Sequence, residues 1–438
     1  MIAASHNLLF FQILYAVFSR MICQNYRNAL NLLTTYNWNS IMKKHFYTLL
    51  LVLGSVLFSS VSMMAQDVNA IINKVKKEYA PDSRVAIWNV EVKKTAQGYD
   101  LSGKTTLPEA KEALLKELGT QKIKYNDRIT VLPDASLKQQ WALVSISVAC
   151  LRTDAKNSAE LASQAIMGTP MKVLEKADNG MCRVQTPDGY IGYMTSGSFQ
   201  LLSEKEMNAW RAAKRYVVTA YQPTMYGTPA ADDTNVVSDL LLGNILEYVG
   251  QEAGFLKLKT PDGRMGYVAA ADVAELEEWS RQEFDIAKIE RNARRMMGVP
   301  YLWGGTSAKT VDCSGFMKTI YFSNGIILQR DASQQALTGK KINWRNWRTE
   351  AEKGDLIFIG TKSGRVTHVA MYLDDGRYIH SSGRVKINSM NPDDADYLDY
   401  TFLSMSRIKG QVGTKGIVSV SRHPWYFVKT NLWIEENF

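Results

Sequence analysis

The hydrophobic pattern of the N-terminal part of the chain predicts a small unit of two helices and a hairpin. Apolar residues between positions 68 and 75 recur at the spacing of one helix face. Residues 85–92 alternate partly between apolar and polar, and residues 98–105 follow as the second strand of a hairpin. A further helix is predicted over 108–119, because Pro stands at its start and Gly at its end. Nothing in the residue types of this α/β unit indicates catalysis.

The middle of the chain contains an internal repeat of short apolar strands. Residues 180–194 and residues 254–268 each contain a strand, a Pro-Asp-Gly turn and a second strand that includes Gly-Tyr. Pro-Asp-Gly is typical of a tight turn. Upstream, the segment 163–168 matches the segment 238–243. Many short strands separated by turn signals predict two small β-barrels.

The two repeats resemble bacterial SH3-like domains, whose strand-turn-strand endings have the same form. The resemblance covers about residues 145–203 and 215–275. When the repeats are aligned, Glu160 of the first lies opposite Asn235 of the second. An acidic residue found in only one copy is either a ligand contact or a solvated loop residue, and the sequence leaves both readings open.

The last part of the chain mixes helix and strand patterns. The apolar stretch 316–322 predicts a buried helix. His368 alternates with apolar residues on a predicted strand, Asp-Asp-Gly at 374–376 predicts a hairpin turn, and the next strand leads to His380. Two adjacent antiparallel strands of this kind would bring the two imidazoles side by side.

Candidate chemistry follows from the scarcity of two residue types. The chain has 5 His and 4 Cys, and Cys313, His368 and His380 fall in this one region. The helix predicted over 316–322 places Cys313 at its first turn. A helix N-terminus and a neighbouring imidazolium lower the pKa of a thiol from about 8.5, so we expect Cys313 to be partly a thiolate near neutral pH. His368 would accept the thiol proton, while His380 would bind the other ring nitrogen and fix its tautomer. This set predicts nucleophilic catalysis by cysteine.

The order of these residues resembles the NlpC-type cell-wall cysteine peptidases. The resemblance implies a papain-like α+β core, with Cys313 as nucleophile, His368 as base and His380 as the orienting third residue. It also implies hydrolysis of the γ-D-glutamyl–diamino acid bond in peptidoglycan stem peptides. The matching residues are Tyr301, Asp312-Cys313-Ser314-Gly315-Phe316, Arg330-Asp331, Gly354-Asp355-Leu356, His368-Val369 and His380.

The combination of an export signal, two barrels and this domain resembles the subgroup that cuts stem peptides with a free N-terminal L-alanine. In that subgroup a Tyr, the Asp beside the Cys and an acid of the first barrel bind the substrate ammonium. The matching residues here are Tyr301, Asp312 and Glu160. A ligand cation suits such a set, because carboxylates and a hydroxyl oxygen accept its hydrogen bonds. The Tyr301 hydroxyl and the Cys313 N–H are also candidate oxyanion donors.

The resemblance further implies contacts with the D-glutamyl part of the substrate. The matching residues are Ser314, Arg330, Asp331 and Ser333. Here the chain departs from the family, which often has Ser directly after Arg-Asp, because Ala332 stands at that position and Ser333 follows it.

Other functions remain open from the residues alone. A zinc hydrolase could use the same Cys and two His, but these residues lack the compact ligand spacing of zinc sites. An amidase or an acyltransferase on the same papain-like core would share the nucleophile. A non-catalytic wall-binding protein would need only the barrels.

Composition narrows the partners. The formal net charge of +9 is spread along the chain rather than concentrated in a basic run. We therefore expect anionic cell-wall polymers rather than nucleic acid as partners. The cysteine mechanism implies no metal or other cofactor, and we expect the protein to be a monomer. Four Cys are too few for a disulfide framework, and we expect Cys150 and Cys182 to be unpaired core thiols.

Residues 42–65 have the pattern of a secretory signal. A short basic head, an apolar run and a small-residue end lead to a predicted cleavage site near Ala65 and Gln66. The apolar run is too short for a membrane span, which needs about 20 residues. We expect Met42 to be the true start and the protein to be exported, periplasmic or secreted, with no membrane span after cleavage.

The predicted organisation is a multidomain α+β protein. Residues 275–297, which are charged and helical in period, are expected to link the second barrel to the last domain. The predicted segments are an untranslated extension (1–41), a signal peptide (42–65), a small α/β domain of unknown role (66–140), two SH3-like barrels (141–207 and 213–276), a papain-like domain (280–410) and a C-terminal extension (411–438).

Overall fold

The computed structural model describes residues 68–428. The predicted upstream extension and signal peptide lie outside these residues, as does the end of the predicted C-terminal extension. Within the described part, no helix combines the length and apolar character needed to cross a membrane.

The N-terminal unit contains the predicted helices and hairpin. Strands β1 and β2 pair in antiparallel fashion, and β3 adds to β2 in parallel after a helical crossover. A parallel pair needs such a crossover, which explains why the helix precedes β3. The third strand was not predicted from the sequence. The elements are helix α1 (68–79), β1 (Trp88–Thr95), β2 (Gly98–Thr105), α2 (Pro108–Thr120) and β3 (Tyr125–Val131).

The first repeat forms a seven-stranded antiparallel sheet, in the order β10-β4-β7-β8-β9-β5-β6. Its strands are β4 (Trp141–Val144), β5 (Val148–Arg152), β6 (Leu161–Ile166), β7 (Pro170–Lys176), β8 (Cys182–Gln185), β9 (Ile191–Met194) and β10 (Phe199–Leu202). Helix α3 (Glu204–Ala212) follows and begins with a capping box between Ser203 and Glu206. This helix runs across residue 207, the predicted end of the barrel.

The second repeat forms another seven-stranded antiparallel sheet, in the order β13-β12-β16-β15-β14-β11-β17. Its strands are β11 (Arg215–Val218), β12 (Thr224–Tyr226), β13 (Val236–Asp239), β14 (Ile245–Glu252), β15 (Phe255–Lys259), β16 (Met265–Ala269) and β17 (Val273–Glu275). Both Pro-Asp-Gly turns have the same design: Gly189 and Gly263 adopt φ angles of 82° and 91°, a left-handed conformation that favours glycine.

The predicted linker after the second sheet is two helices rather than one. These are α4 (Leu276–Ser280) and α5 (Ile286–Arg295). The break between them coincides with the cap of α5, because the Asp285 side chain accepts a hydrogen bond of 3.0 Å from the Lys288 N–H.

The last domain contains a six-stranded sheet in the order β21-β26-β22-β23-β24-β25. Its elements are β18 (Thr306–Ser307), β19 (Thr310–Val311), α6 (Cys313–Phe322), β20 (Ile326–Leu328), α7 (Ala332–Gln335), β21 (Lys340–Ile342), α8 (Trp347–Glu350), β22 (Leu356–Gly360), β23 (Val366–Tyr372), β24 (Arg377–Ser382), β25 (Arg384–Ser389), β26 (Phe402–Arg407) and β27 (Ile417–Ser419). Short 3-10 helices occupy Ser196–Ser198, Ala270–Asp272, Trp344–Asn346 and Val420–Arg422.

Helix α6 is the central helix of this domain and is buried against the sheet. Phe316 and Ile320 of the helix share one fully buried cluster with Phe358 and Val369 of the sheet. Burying an apolar side chain of this size stabilises a fold by roughly 1.5–3 kcal/mol. The packing therefore fixes the helix, and with it the residue at its N-terminus.

The C-terminal segment is part of the fold rather than an appendage. Strand β27 pairs with β20 in antiparallel register, so the chain returns to the end of helix α6. Val420 and Tyr426 are fully buried in a cluster with Trp141 of the first repeat. The sequence could not indicate this return, because the strand is only three residues long.

Candidate active site

Cys313 is the first residue of helix α6. The Asp312 carboxylate caps this helix by accepting a hydrogen bond of 2.7 Å from the Gly315 N–H. Gly315 is required for close packing, because a Cβ atom there would lie 1.9 Å from the Gly305 carbonyl oxygen. Cys313 is 7% exposed and shares a buried cluster with Val369 of strand β23. Cys313 therefore packs against strand β23, the strand that carries His368.

The two predicted imidazoles are in direct contact. His368 on β23 and His380 on β24 face each other across adjacent strands, with His368 Nε2 lying 2.8 Å from His380 Nδ1. The other nitrogen of His380, Nε2, lies 2.9 Å from Asn388 Oδ1 on β25. Asn388 is fixed in turn, since its Nδ2 donates to the Asp396 carbonyl at 2.6 Å. Because an amide oxygen only accepts, His380 Nε2 carries a proton and His380 Nδ1 accepts from His368 Nε2.

This tautomer leaves Nδ1 of His368 as the unprotonated nitrogen of that ring. Such a nitrogen is the one able to accept a proton from a thiol. The hydrogen bonds from Asn388 through His380 to His368 therefore define which nitrogen of His368 is free to accept a proton.

The electrostatics of the resting site differ from the expected ion pair. Burial, together with the neighbouring charge of Asp312, raises the pKa of the Cys313 thiol to about 11. Burial and the adjacent His380 lower the pKa of His368 to about 3, and burial lowers that of His380 to about 4. These shifts oppose the predicted thiolate near neutral pH, because desolvation outweighs the effect of the helix N-terminus and favours the neutral form of both partners.

Asp312 and Arg330 form a buried ion pair directly behind the nucleophile. Arg330 is 1% exposed, and its two terminal nitrogens donate to the two oxygens of Asp312. Oδ2 of Asp312 also accepts from the Gly304 N–H at 3.0 Å. Arg330 Nε donates to Ser163 Oγ of the first seven-stranded sheet at 3.0 Å. The pair therefore ties the start of α6 to the first repeat, and both carboxylate oxygens already have donors.

Ser314 belongs to the same buried group. Its hydroxyl oxygen accepts a hydrogen bond of 3.0 Å from Arg330 Nη1 and donates to Asp312 Oδ1 at 3.2 Å. The side chains of Asp312, Ser314 and Arg330, which were predicted to contact substrate, thus form hydrogen bonds with one another.

Tyr301 is half-buried next to the nucleophile. Burial and the neighbouring charges of Cys313 and Asp312 raise the pKa of its hydroxyl well above the usual value. The Tyr301 N–H donates to the Gly383 carbonyl at 3.0 Å, which ties this residue to the turn after β24. Tyr301 is therefore a neutral hydroxyl beside the sulfur.

Glu160 reaches the last domain from the first repeat. Its Oε1 accepts a hydrogen bond of 2.6 Å from Trp303 Nε1, two residues after Tyr301. Trp303 is 62% exposed and Glu160 is also exposed. The acid that occurs in only one repeat thus lies on the Tyr301 side of the site.

Asp331 and Ser333 lie at the start of helix α7 and are bound by a residue that the sequence did not indicate. Arg84 of the N-terminal unit donates from Nη1 to Asp331 Oδ2 at 2.8 Å and to Ser333 Oγ at 3.0 Å. No motif in the sequence could have identified Arg84, because its partners lie about 250 residues away along the chain. Asn388 was also missed; its place on the strand after His380, at a polar position in a short hairpin, was the available signal.

The described residues contain three cysteines, and none of them forms a disulfide. Cys150, Cys182 and Cys313 are all free thiols, which confirms that the first two are unpaired; Cys182 is buried as expected, whereas Cys150 is only partly buried. Among residues 68–428, no cluster of three or more His, Cys, Asp or Glu side chains is arranged to bind a metal ion.

Comparison with protein-family models identifies the last domain. Residues 298–406 match the NlpC/P60 family, and these residues contain α6, β23 and β24. They form an NlpC/P60 domain. The resemblance seen in the sequence is confirmed: the chain contains an NlpC/P60 domain and is a cysteine peptidase.

The first repeat is identified in the same way. Residues 151–199 match the bacterial dipeptidyl-peptidase SH3 domain, which confirms an SH3-like domain before the NlpC/P60 domain. The chain is therefore a multidomain protein that combines both types of domain with further helices and strands.

Curated relatives match this chain over about half of its length. A γ-D-glutamyl-L-lysine dipeptidyl-peptidase of Bacillus cereus is 28% identical over 239 residues, which cover 51% of this chain and 68% of the relative. Dipeptidyl-peptidase 6 of Lysinibacillus sphaericus is 27% identical over 264 residues, covering 57% of this chain and 92% of that protein.

A solved structure supports the fold. An NlpC/P60 family protein from Bacillus cereus aligns with a TM-score of 0.52 and 22% sequence identity, covering 61% of this chain and 99% of that protein. At this identity the alignment supports the arrangement of the elements and says nothing further about substrate.

Proposed function

We propose that the chain hydrolyses the γ-D-glutamyl–diamino acid bond of peptidoglycan stem peptides that carry a free N-terminal L-alanine. One observation carries this proposal: Asn388, His380 and His368 form a hydrogen-bonded relay on neighbouring strands, and helix α6, which begins at Cys313, packs against the strand that carries His368. The names of the Bacillus relatives support the choice of bond.

The proposed reaction begins with two neutral partners. As Cys313 Sγ attacks the γ-carbonyl carbon of D-glutamate, its proton passes to Nδ1 of His368. The carbon–nitrogen bond then breaks, and the departing amine takes the proton from His368, leaving a thioacyl-enzyme. Water attacks the thioester carbon and gives a proton to His368, and the released sulfur recovers that proton. His380 keeps the proton-accepting nitrogen of His368 directed at the sulfur throughout.

The negative oxygen of the tetrahedral intermediates needs hydrogen-bond donors. The Cys313 N–H belongs to the first turn of α6, where backbone N–H groups have no acceptor within the helix. The Tyr301 hydroxyl is kept neutral by its raised pKa, so it can donate a hydrogen bond. These two groups are the proposed oxyanion hole, and removing one donor of this kind commonly costs about 10²–10³ in kcat.

The ammonium of the substrate is proposed to bind between Glu160 and Tyr301. Glu160 is exposed, and its hydrogen bond to Trp303 holds it on the Tyr301 side of the site. Asp312 would act through its charge, because donors already occupy both of its oxygens. Asp331 and Ser333, at the start of α7, are proposed to contact the D-glutamyl part.

The location of action follows from the substrate. Peptidoglycan peptides lie outside the cytoplasmic membrane, and the predicted signal at 42–65 fits export to the periplasm or the medium. The small excess of positive charge suits an anionic wall polymer.

A defined tripeptide tests this proposal. Purified protein is incubated with L-Ala-γ-D-Glu-L-Lys and with its N-acetylated form, and products are identified by mass spectrometry. We expect L-Ala-D-Glu and free lysine from the first peptide, and strongly reduced turnover of the second. Cys313→Ala should abolish turnover, whereas Cys182→Ala, which removes a buried thiol of the first repeat, should retain it.

Two outcomes would contradict the proposal. Equal rates on both peptides would remove the ammonium site. With the muramyl tripeptide as a third substrate, cleavage of the bond between the muramyl group and L-alanine, while the free tripeptide stays intact, would indicate an amidase on the same catalytic core.

A further inference from the structure

A side chain of the N-terminal unit enters the substrate-binding region of the NlpC/P60 domain. Arg84 donates from Nη1 to both Asp331 and Ser333, the residues at the start of helix α7. The other side of its guanidinium is held by Asp82, which accepts from Nε at 2.8 Å and from Nη2 at 2.7 Å. All three nitrogens of the guanidinium are therefore engaged, and its orientation is fixed.

Gln334 also joins the hydrogen-bonded group of Arg84, Asp82, Asp331 and Ser333. Gln334 Nε2 of helix α7 donates to Asp82 Oδ2 at 2.8 Å. Asp82 thus binds both Arg84 and the helix that Arg84 contacts. Closed networks of this kind restrict each member more than isolated hydrogen bonds do.

The segment that carries Arg84 is itself attached to the first SH3-like domain. The Ile191 N–H donates to the Arg84 carbonyl at 2.8 Å, and Gln185 Nε2 donates to the Val85 carbonyl at 3.3 Å. Residues 82–85 therefore lie at a junction of three parts of the protein. This arrangement differs from a spacer, which would make no contact with the catalytic domain.

Helix α7 transmits this attachment to the nucleophile. Gln335 Nε2 donates to the Ser314 carbonyl at 3.2 Å and to the Gln329 carbonyl at 2.8 Å. The helix also packs against strand β23, which carries His368. Displacing the start of α7 would therefore disturb the wall of the site next to Cys313.

We propose that Arg84 is a positioning residue for substrate binding, and that the N-terminal unit is in this way a structural part of the active site. Arg84 holds the side chains of Asp331 and Ser333 in the orientation in which they meet the D-glutamyl part of the stem peptide. This inference rests on the proposed function for the identity of the substrate. An arginine suits the task, because its planar fork binds two partners on one side while Asp82 holds the other.

Kinetics with the full exported chain test the substrate side of this inference. Arg84→Ala should raise KM for L-Ala-γ-D-Glu-L-Lys by about tenfold with kcat changed less than about threefold, because it loosens binding contacts without touching the sulfur or the imidazoles. Arg84→Lys should give an intermediate KM, since an ammonium can replace part of the fork. The matched control is Arg128→Ala, which removes an arginine of the same unit that pairs with Asp100 there.

Amide hydrogen exchange tests the positioning claim without any substrate. The N–H groups of Gln334, Gln335 and Ala336 make the first bonds of helix α7. Arg84→Ala should speed their exchange by at least about fivefold, while the amides of strand β3 keep their wild-type rates. Arg128→Ala should leave α7 unchanged.

The two readouts separate the possible failures. Unchanged exchange at α7 in Arg84→Ala would overturn the positioning role, whatever the enzyme cleaves. Faster exchange with an unchanged KM would overturn the link to substrate. If the wild-type protein does not cleave the tripeptide, the proposed function fails, and the exchange data still decide the structural claim. Should Arg84→Ala not fold, Ser333→Ala removes one of the same bonds from the other side, and its amide exchange at α7, measured without substrate, tests the positioning role.

Discussion

His368 Nε2 lies 2.8 Å from His380 Nδ1, and this contact leaves Nδ1 as the unprotonated nitrogen of His368. Both rings are desolvated, which lowers their pKa values. The neutral forms are therefore favoured, and the hydrogen bond between them runs from His368 Nε2 to His380 Nδ1. The orientation of the base thus depends on a second imidazole and, behind it, on the amide oxygen of Asn388.

Removing the second imidazole tests this relationship. We expect His380→Ala to lower kcat on the tripeptide by about 10²–10³, because His368 loses the partner that fixes its tautomer, with little change in KM. Asn388→Asp should be milder, since it keeps an acceptor for His380 Nε2. Steady-state kinetics on both variants provide the measurement. A kcat within about threefold of wild type in His380→Ala would remove the orienting role.

The pH dependence of thiol alkylation tests the neutral resting pair. A thiol with its pKa raised to about 11 is mostly protonated at pH 7, and the thiolate fraction grows about tenfold per pH unit below that value. We therefore expect the rate of Cys313 alkylation by iodoacetamide to keep rising from pH 6 to pH 9. A stable thiolate–imidazolium pair would instead give a plateau across neutral pH.

The control for alkylation uses the other thiols. Cys313→Ala retains the free thiols Cys150 and Cys182, so its labelling gives the background to subtract at each pH. Mass spectrometry of labelled peptides assigns the modified residue. Rates that level off between pH 6 and pH 8 in the wild type would show that the site ionises despite its burial.

The buried pair of Arg330 and Asp312 leads to a stability prediction. Arg330→Met leaves the Asp312 charge buried without its cation, so we expect the free energy of unfolding of the catalytic domain to fall by about 3–5 kcal/mol. Urea unfolding followed by fluorescence measures the change. Arg281→Met is the control, because Arg281 forms an exposed pair with Glu277 and should change stability by less than about 0.5 kcal/mol.

This variant also separates two roles for Arg330. The family resemblance implies a contact with the D-glutamyl part, whereas the structure buries the whole side chain among Asp312, Ser314 and Ser163. A raised KM in Arg330→Met without loss of stability would favour the direct contact.

The sequence predicted local features well where one residue type or period carries the information. The scarce Cys and His residues led to the relay, and the Pro-Asp-Gly repeats led to two similar sheets. Relations between distant segments were not predictable, since Arg84 and Asp331 have no common pattern. The predicted thiolate of Cys313 rests on the helix N-terminus alone, because the sequence does not report burial, and burial shifts the pKa of this thiol in the opposite direction.

The acid of the first repeat gives the last prediction. Glu160 binds Trp303 and lies on the Tyr301 side of the site, where we propose that it meets the substrate ammonium. Glu160→Gln removes the charge and keeps an oxygen that can accept from Trp303. We expect KM for the free tripeptide to rise about tenfold, while the weak turnover of the N-acetylated peptide stays the same, because that peptide has no ammonium to lose.

The second repeat offers a matched control for this change. Asn235 is the aligned position there, and Asn235→Ala should leave the kinetics of both peptides unchanged. Trp303→Phe should reproduce part of the Glu160 effect, since it removes the indole N–H that holds the carboxylate. An equal rise of KM for the free and the acetylated peptide in Glu160→Gln would mean that Glu160 supports the shape of the site rather than the ammonium.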